Sequence, residues 1–200
     1  MKQDLVITIS RQYGSGGQEV GQKLAQVLGI PCYDKELIAL SAEKSGFSPI
    51  HFQEPDQQAP SSMLFSLLRA GTMMGSYELP LNDKVFLVQS KVIRQLADQG
   101  ACVIVGRCAD YVLADREHCI RVFLHAPLPL RVERGRTLYH LPGDRAEDII
   151  QKTDKRRSTY YNYYTGVKFG EATQYHISLD TLTIGIDKTV EALAAYARNF

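Results

Sequence analysis

A glycine-rich turn in the stretch VITISRQYGSGGQEVGQKLA, residues 6–25, constrains this chain more than any other feature. An apolar, β-branched run precedes it and a helical pattern follows. The chain must therefore pass from strand to helix through Gly14, Ser15, Gly16 and Gly17. Glycines there admit positive φ and let backbone N–H groups approach an anion, and the helix start adds a favourable dipole. A tight turn that binds nothing is the plain alternative, but three glycines and a serine exceed what such a turn needs.

Strand-like and helix-like segments alternate through the rest of the chain. Strands are expected at DLVITIS (4–10), IPCYD (30–34), ACVIVG (101–106), IRVFLHAP (120–127) and YHISLD (175–180). Between them, Val20, Leu24, Val27 and Leu28 mark one face of a helix closed by Gly29. KELIALSAEKSG, DKVFLVQSKVIRQLADQG and PLRVERGRTLYH read as further helices. A longer helix is expected from Asp144 into YYNYY, and a last one has Ile186, Val190, Leu193 and Ala197 facing inward. Residues 46–82 are irregular, with one short helix expected at Met63–Leu68, and read as a mobile insertion. Five short strands separated by helices predict an α/β fold, a parallel five-stranded sheet with helices on both faces. Ligands bind at the carboxyl ends of such strands. This singles out Arg11 to Gly17, Asp34, Gly106 to Asp110, and the polar helix after Pro127.

Composition narrows the class. Of 200 residues, 44% are hydrophobic and 22% charged, which suits one compact domain spanning 1–200. A net charge of +1 gives no reason to expect a nucleic acid polymer as partner. No apolar run reaches the ~18 residues of a membrane span, and the first apolar run is too short for a signal peptide. Cys32, Cys102, Cys108 and Cys119 show no C-x-x-C spacing and read as buried free thiols, which points to the cytoplasm. Either a monomer or a homodimer is compatible with these features.

The loop fits two ligand classes imperfectly. A dinucleotide fingerprint wants G-x-G-x-x-G with an acid about 20 residues on. Gly14, Gly16 and Asp34 fit it, but the next glycines, Gly17 and Gly21, are out of place. A mononucleotide P-loop wants G-x-x-x-x-G-K-S/T. Gly16 would be its last loop glycine, with Gly17 in place of the lysine and Gln18 in place of the serine or threonine.

From Val6 to about Leu193 the chain resembles the cytidylate kinase-like proteins, P-loop relatives of bacterial cytidylate kinases. ITISRQYGSGGQ lies over their ITIDGPSGAGKG without a gap, and Tyr33-Asp34 over a leucine-aspartate pair near the acceptor nucleotide. VIVGRCAD matches the strand leading into GRD, whose arginine contacts the monophosphate. Arg107 takes that place, Cys108 replaces the aspartate, and Asp110 is the nearest carboxylate. FLHAPLPLRVERGR matches FLTASPEERARRR, bringing Arg131 and Arg134. Asp154 and Arg157 keep the spacing of an aspartate and an arginine in the family's lid, here within residues 144–172. SLDTLTIGID resembles the last strand and its DTSxLTIEE continuation.

The resemblance implies a nucleoside monophosphate kinase that transfers the γ-phosphoryl group of ATP, with CMP the acceptor it favours. Phosphoryl transfer is mostly positioning and charge stabilisation, which explains basic residues gathered after the strands. Asp34, Arg107 and Asp110 are expected at the acceptor. Gly14 to Gln18, Arg131 and Arg134 are expected at the donor phosphates. Asp154 could orient Arg157 one helical turn away, with Arg156 or Arg157 swinging over the transferring group. Solvated, salt-bridged helix faces are the alternative for the 131–136 and 154–157 clusters, and pairing with Asp110 for Arg107. Tyr160, Tyr161, Tyr163, Tyr164 and Tyr175 read as packing rather than base stacking, and His125 as structural. Mg²⁺ is expected to come with ATP, and no metal ligand is assigned, although Ser15, Gln18 and Glu19 lie nearby. Arg11, at the root of the loop, is the best substitute for the missing lysine, ahead of Lys155 and Lys23. A non-catalytic nucleotide-binding protein and a dinucleotide-dependent oxidoreductase remain as alternatives.

Overall fold

The computed structural model describes residues 2–34, 43 and 80–200. The helix expected after Asp34 and nearly all of the 46–82 insertion, with its helix at Met63–Leu68, lie outside the described residues. Five parallel strands form one sheet: β1 (Val6–Arg11), β2 (Cys32–Tyr33), β3 (Cys102–Val105), β4 (Cys119–His125) and β5 (Ile177–Asp180). Their spatial order is β2-β3-β1-β4-β5. β3 lies between β1 and β2, whereas the dinucleotide fold places its second strand directly beside its first. The oxidoreductase alternative thus loses its architecture.

Alternation along β1 assigns the two faces. Leu5, Ile7 and Ile9 pack with Val20 and Leu24 of α1 (Gly17–Leu28) and with Val190, Leu193 and Ala197 of α7 (Ile186–Asn199). Val6 points the other way, onto Val92, Ile93, Leu96 and Ala97 of α2 (Leu81–Asp98). Val27, expected on the buried stripe of α1, is 52% exposed, because the sheet covers only the Val20–Leu24 side of the helix. Gly29 caps α1 as expected, its N–H donating to the carbonyls of Ala25 and Gln26. Cys102, Cys108 and Cys119 are buried free thiols, and burial pushes Cys102 up to about 12 and Cys119 to about 11.

The remaining helices frame the carboxyl edge of the sheet. They are α3 (Ala109–Val112), α4 (Leu128–Leu138), α5 (Ala146–Thr165) and α6 (Thr181–Ile184). Val132 of α4 meets Ala146 and Ile150 of α5, with Tyr13 packed against them. At its far end α5 carries Tyr160, Tyr161 and Tyr164, each under 10% exposed, in a cluster with Cys108 and Phe86. The Tyr164 and Phe86 rings stack with centroids 4.2 Å apart. The tyrosine-rich stretch is packing, as its spacing suggests.

Candidate active site

Strand register brings two loops side by side. Ile9 pairs with Val105, and the Gly106 N–H donates to the Ile9 carbonyl at 2.9 Å. Arg11 and its loop therefore stand beside the turn after β3. Gly14 and Gly16 hold φ of 80° and 79°, which turns the loop back into α1. Gly106, Arg107 and Cys108 form a second left-handed run, with φ of 79°, 58° and 54°. Two consecutive non-glycine residues in that region cost about 1–3 kcal/mol each, a strain that clusters at functional sites.

At the end of β1 and the turn after β3 lies a cavity of about 180 Å³, lined by Ser10, Arg11, Gly106, Arg107, Cys108, Arg157, Tyr160, Tyr161 and Phe169. Three arginines line it, and none of its described lining residues is a carboxylate. Guanidiniums keep their charge at any working pH, so the cavity attracts an anion. Its size suits a phosphate-sized group, since pockets for whole drug-sized ligands run to about 300–1,000 Å³.

Ion pairs beside the loop define its shape. Both polar groups of the Tyr13 backbone are held: the N–H donates to Asp154 Oδ1 at 2.7 Å, and the carbonyl accepts from Arg131 Nη1 at 3.1 Å. Arg131 Nη1 also donates to Asp154 Oδ2 at 2.5 Å, and its Nε to the Ala126 carbonyl at 2.9 Å. Arg131 is 6% exposed, so it clamps the loop from within instead of facing donor phosphates. Asp154 holds Tyr13 and Arg131, where the spacing suggested it would orient Arg157. Arg157 Nη1 donates to the Arg11 carbonyl at 3.2 Å, and its guanidinium lies over the Tyr13 ring, 5.4 Å from the centroid.

Arg134 of α4 approaches the cradle at Gly16. A Cβ added to Gly16 would stand 3.6 Å from its guanidinium carbon. Arg134 Nη2 donates to Glu19 at 2.6 Å. Burial opposes ionisation of Glu19, but its bonds from Arg134 and Lys23 outweigh that and hold its carboxyl below the usual range. Lys23 is spent on Glu19 and Asp187, 3.1 and 2.7 Å away, and Lys155 is exposed. Arg156 is exposed and donates to Thr153 at 3.2 Å, so only Arg157 of the two lid arginines lines the cavity.

Asp110 does not reach the cavity as an acceptor ligand. It is 3% exposed, and its Oδ2 accepts from Ser10 Oγ at 3.3 Å and from Tyr161 Oη at 3.0 Å. Burial pushes its carboxyl up, although those hydroxyls and nearby N–H groups pull it back. Asp110 is thus a strut behind the cavity, and Arg107 faces the cavity rather than pairing with it at a surface. Asp34 follows β2, two strands from β1, and does not line the cavity. Ser15 is fully buried, with its Oγ donating to the Gln12 carbonyl at 2.9 Å. Its own carbonyl accepts from Thr181 Oγ1 of α6. Thr181 and Tyr13, which brace the loop, lie inside the matching segments SLDTLTIGID and ITISRQYGSGGQ but carry no signal of their own.

The described residues do not fit a metal cage. Ser15 Oγ is committed, Gln18 is exposed, and among the described residues no three His, Cys, Asp or Glu side chains cluster as ligands.

Residues 6–183 match the family model described as the cytidylate kinase-like family. The chain belongs to that family. This family member is 24% identical, over 96% of its length and 92% of the relative's, to a cytidylate kinase of Methanopyrus kandleri. Its fold is that of an uncharacterized protein from Eubacterium ventriosum, with a TM-score of 0.73, 24% identity, and 98% and 99% of the two chains covered. A shikimate kinase from Bacteroides thetaiotaomicron shares the fold more distantly, with a TM-score of 0.56 at 15% identity over 97% and 98% of the chains. The five-stranded parallel sheet of this cytidylate kinase-like chain is therefore an α/β fold shared with that shikimate kinase. No helix among its described residues is long and apolar enough to cross a membrane.

Proposed function

We propose that this cytidylate kinase-like protein is a nucleoside monophosphate kinase that moves the γ-phosphoryl group of ATP to a nucleoside monophosphate. The observation that carries the reading is the cavity lined by Arg11, Arg107 and Arg157 at the root of the glycine loop. Donor phosphates lie along Gly14 to Gln18, with Arg134 at the rim of the cradle. The acceptor phosphate lies at Arg107, whose planar fork suits it. Arg157, held by the Arg11 carbonyl and the Tyr13 ring, lines the same cavity as Arg107. Tyr160, Tyr161 and Phe169 form the aromatic part of the cavity wall. An acceptor phosphate is already a nucleophile, so no base is required. Mg²⁺ would enter on the ATP phosphates and supply further charge neutralisation, held mainly by phosphate and water oxygens. CMP is the first acceptor to try, by resemblance and by the name of the M. kandleri relative. Buried free thiols support a cytoplasmic setting.

A second reading, a nucleotide-binding protein without turnover, draws on Gly17 at the lysine position. Incubation with ATP, Mg²⁺ and a panel of monophosphates separates the two. The kinase reading predicts ADP formation with at least one acceptor. ATP binding with no ADP from any acceptor would leave only the second.

A further inference from the structure

Residues 11 and 17 compete for one volume. A Cβ built on Gly17 would lie 2.8 Å from both Cβ and Cγ of Arg11, a separation that non-bonded carbons do not reach. The aliphatic stem of Arg11 thus lies where any side chain at position 17 would emerge. Farther out, the guanidinium rests against Gly106, where an added Cβ would overlap Nη1 and stand 2.8 Å from Cζ. Two glycines on separate segments leave a passage that one arginine fills. The direction follows from the alternation in β1: Ile7, Ile9 and then Arg11 face α1, while Ser10 faces Asp110.

The passage ends in the cavity shared with Arg107 and Arg157. Arg157 holds the Arg11 carbonyl, which fixes the root of the side chain. A lysine at position 17 would need the space that the Arg11 stem occupies. Arginine with glycine, and glycine with lysine, are therefore two ways of filling the same place. We propose that Arg11 is the cation for the terminal phosphates of a bound nucleoside triphosphate, and that Gly17 and Gly106 are glycines because Arg11 must pass over them. The inference rests on reading the loop as a donor-phosphate cradle and does not require that transfer occurs.

Calorimetric titration with ATP, and separately with inorganic tripolyphosphate, tests it. Arg11→Met keeps an unbranched stem over Gly17 and removes the charge, so both ligands should bind about tenfold or more weakly. Gly17→Lys alone should also weaken binding, because two stems meet. The double variant Arg11→Gly with Gly17→Lys should bind more tightly than either single variant. Wild-type affinity in Arg11→Met would overturn the inference and leave the proposed function standing. So would a folded double variant that binds no better than Arg11→Met. Wild-type protein that binds neither ligand would overturn both. If Arg11→Met fails to fold, the double variant compared with Gly17→Lys decides alone.

Discussion

Asp110 shows how one buried carboxyl sets a pH dependence. Its carboxyl is raised by burial above the usual range, against the pull of the Tyr161 and Ser10 hydroxyls. The folded chain then holds the proton more tightly than the unfolded chain. The stability this contributes is complete below the unfolded value of 3.8 and is lost as pH rises through the folded value. Asp110→Asn keeps a neutral acceptor for both hydroxyls. It should gain stability on the wild type as pH rises across that window, by no more than about 1.4 kcal/mol per pH unit, and level off above it. Urea melts at about pH 5 and about pH 8 check this. An unchanging difference between the two proteins would show that the carboxyl does not titrate in that range. From sequence, Asp110 is the carboxylate nearest Arg107 and is expected at the acceptor. Its partners are 100 and 51 residues away, and spacing along the chain carries no trace of them.

Helix α5 is tied down where a lid would be free. Asp154 binds the Tyr13 N–H, Arg157 the Arg11 carbonyl, and Tyr161 the strut behind Ser10. Three successive turns of one helix thus meet one strand and its loop. Arg157, one of the two arginines expected to swing over the transferring group, is held at the Arg11 carbonyl in this structure. The Arg131–Asp154 pair, with side chains 8% and 21% exposed, is the main tie of the helix. Arg131→Ala leaves a largely buried carboxylate without its partner and should cost about 3–5 kcal/mol. The double variant Arg131→Ala with Asp154→Ala should cost less than the sum of the singles, by about 0.5–3 kcal/mol. Denaturant titration of the three proteins checks it, and strict additivity would show the pair to be uncoupled. The helix itself was legible, because its span and its paired charges are local. Which side chain met the loop was not. Arg131 and Arg134 differ by less than one turn, yet one is clamped inside and the other reaches Gly16.

At the scale of the whole molecule, the five strands stand close to where the short apolar runs put them, and so do the helices among the described residues. Their order did not follow from the runs. Placing β3 between β1 and β2 depends on which buried strand pairs with which, and Val103, Ile104 and Val105 carry no label for that. Once observed, the order removes the dinucleotide fold from the alternatives that the loop alone left open. The proposed kinase function then predicts stabilisation by ATP and none by NAD. At about a hundredfold excess of ATP over its dissociation constant, the folded state gains roughly 2.7 kcal/mol. Thermal melts with each nucleotide read this directly, and a rise with NAD alone would contradict the fold-level reading.

The contact between Arg11 and Gly17 has a consequence for how such a loop could arise. From a glycine at 11 and a lysine at 17, changing residue 11 first sets two stems in one space. Changing residue 17 first empties that space of both. Each single step passes through a defective loop, so the route from one form to the other crosses a valley rather than a slope. A chain that has reached the far side is held there by the same 2.8 Å that lets Arg11 lie flat on Gly17.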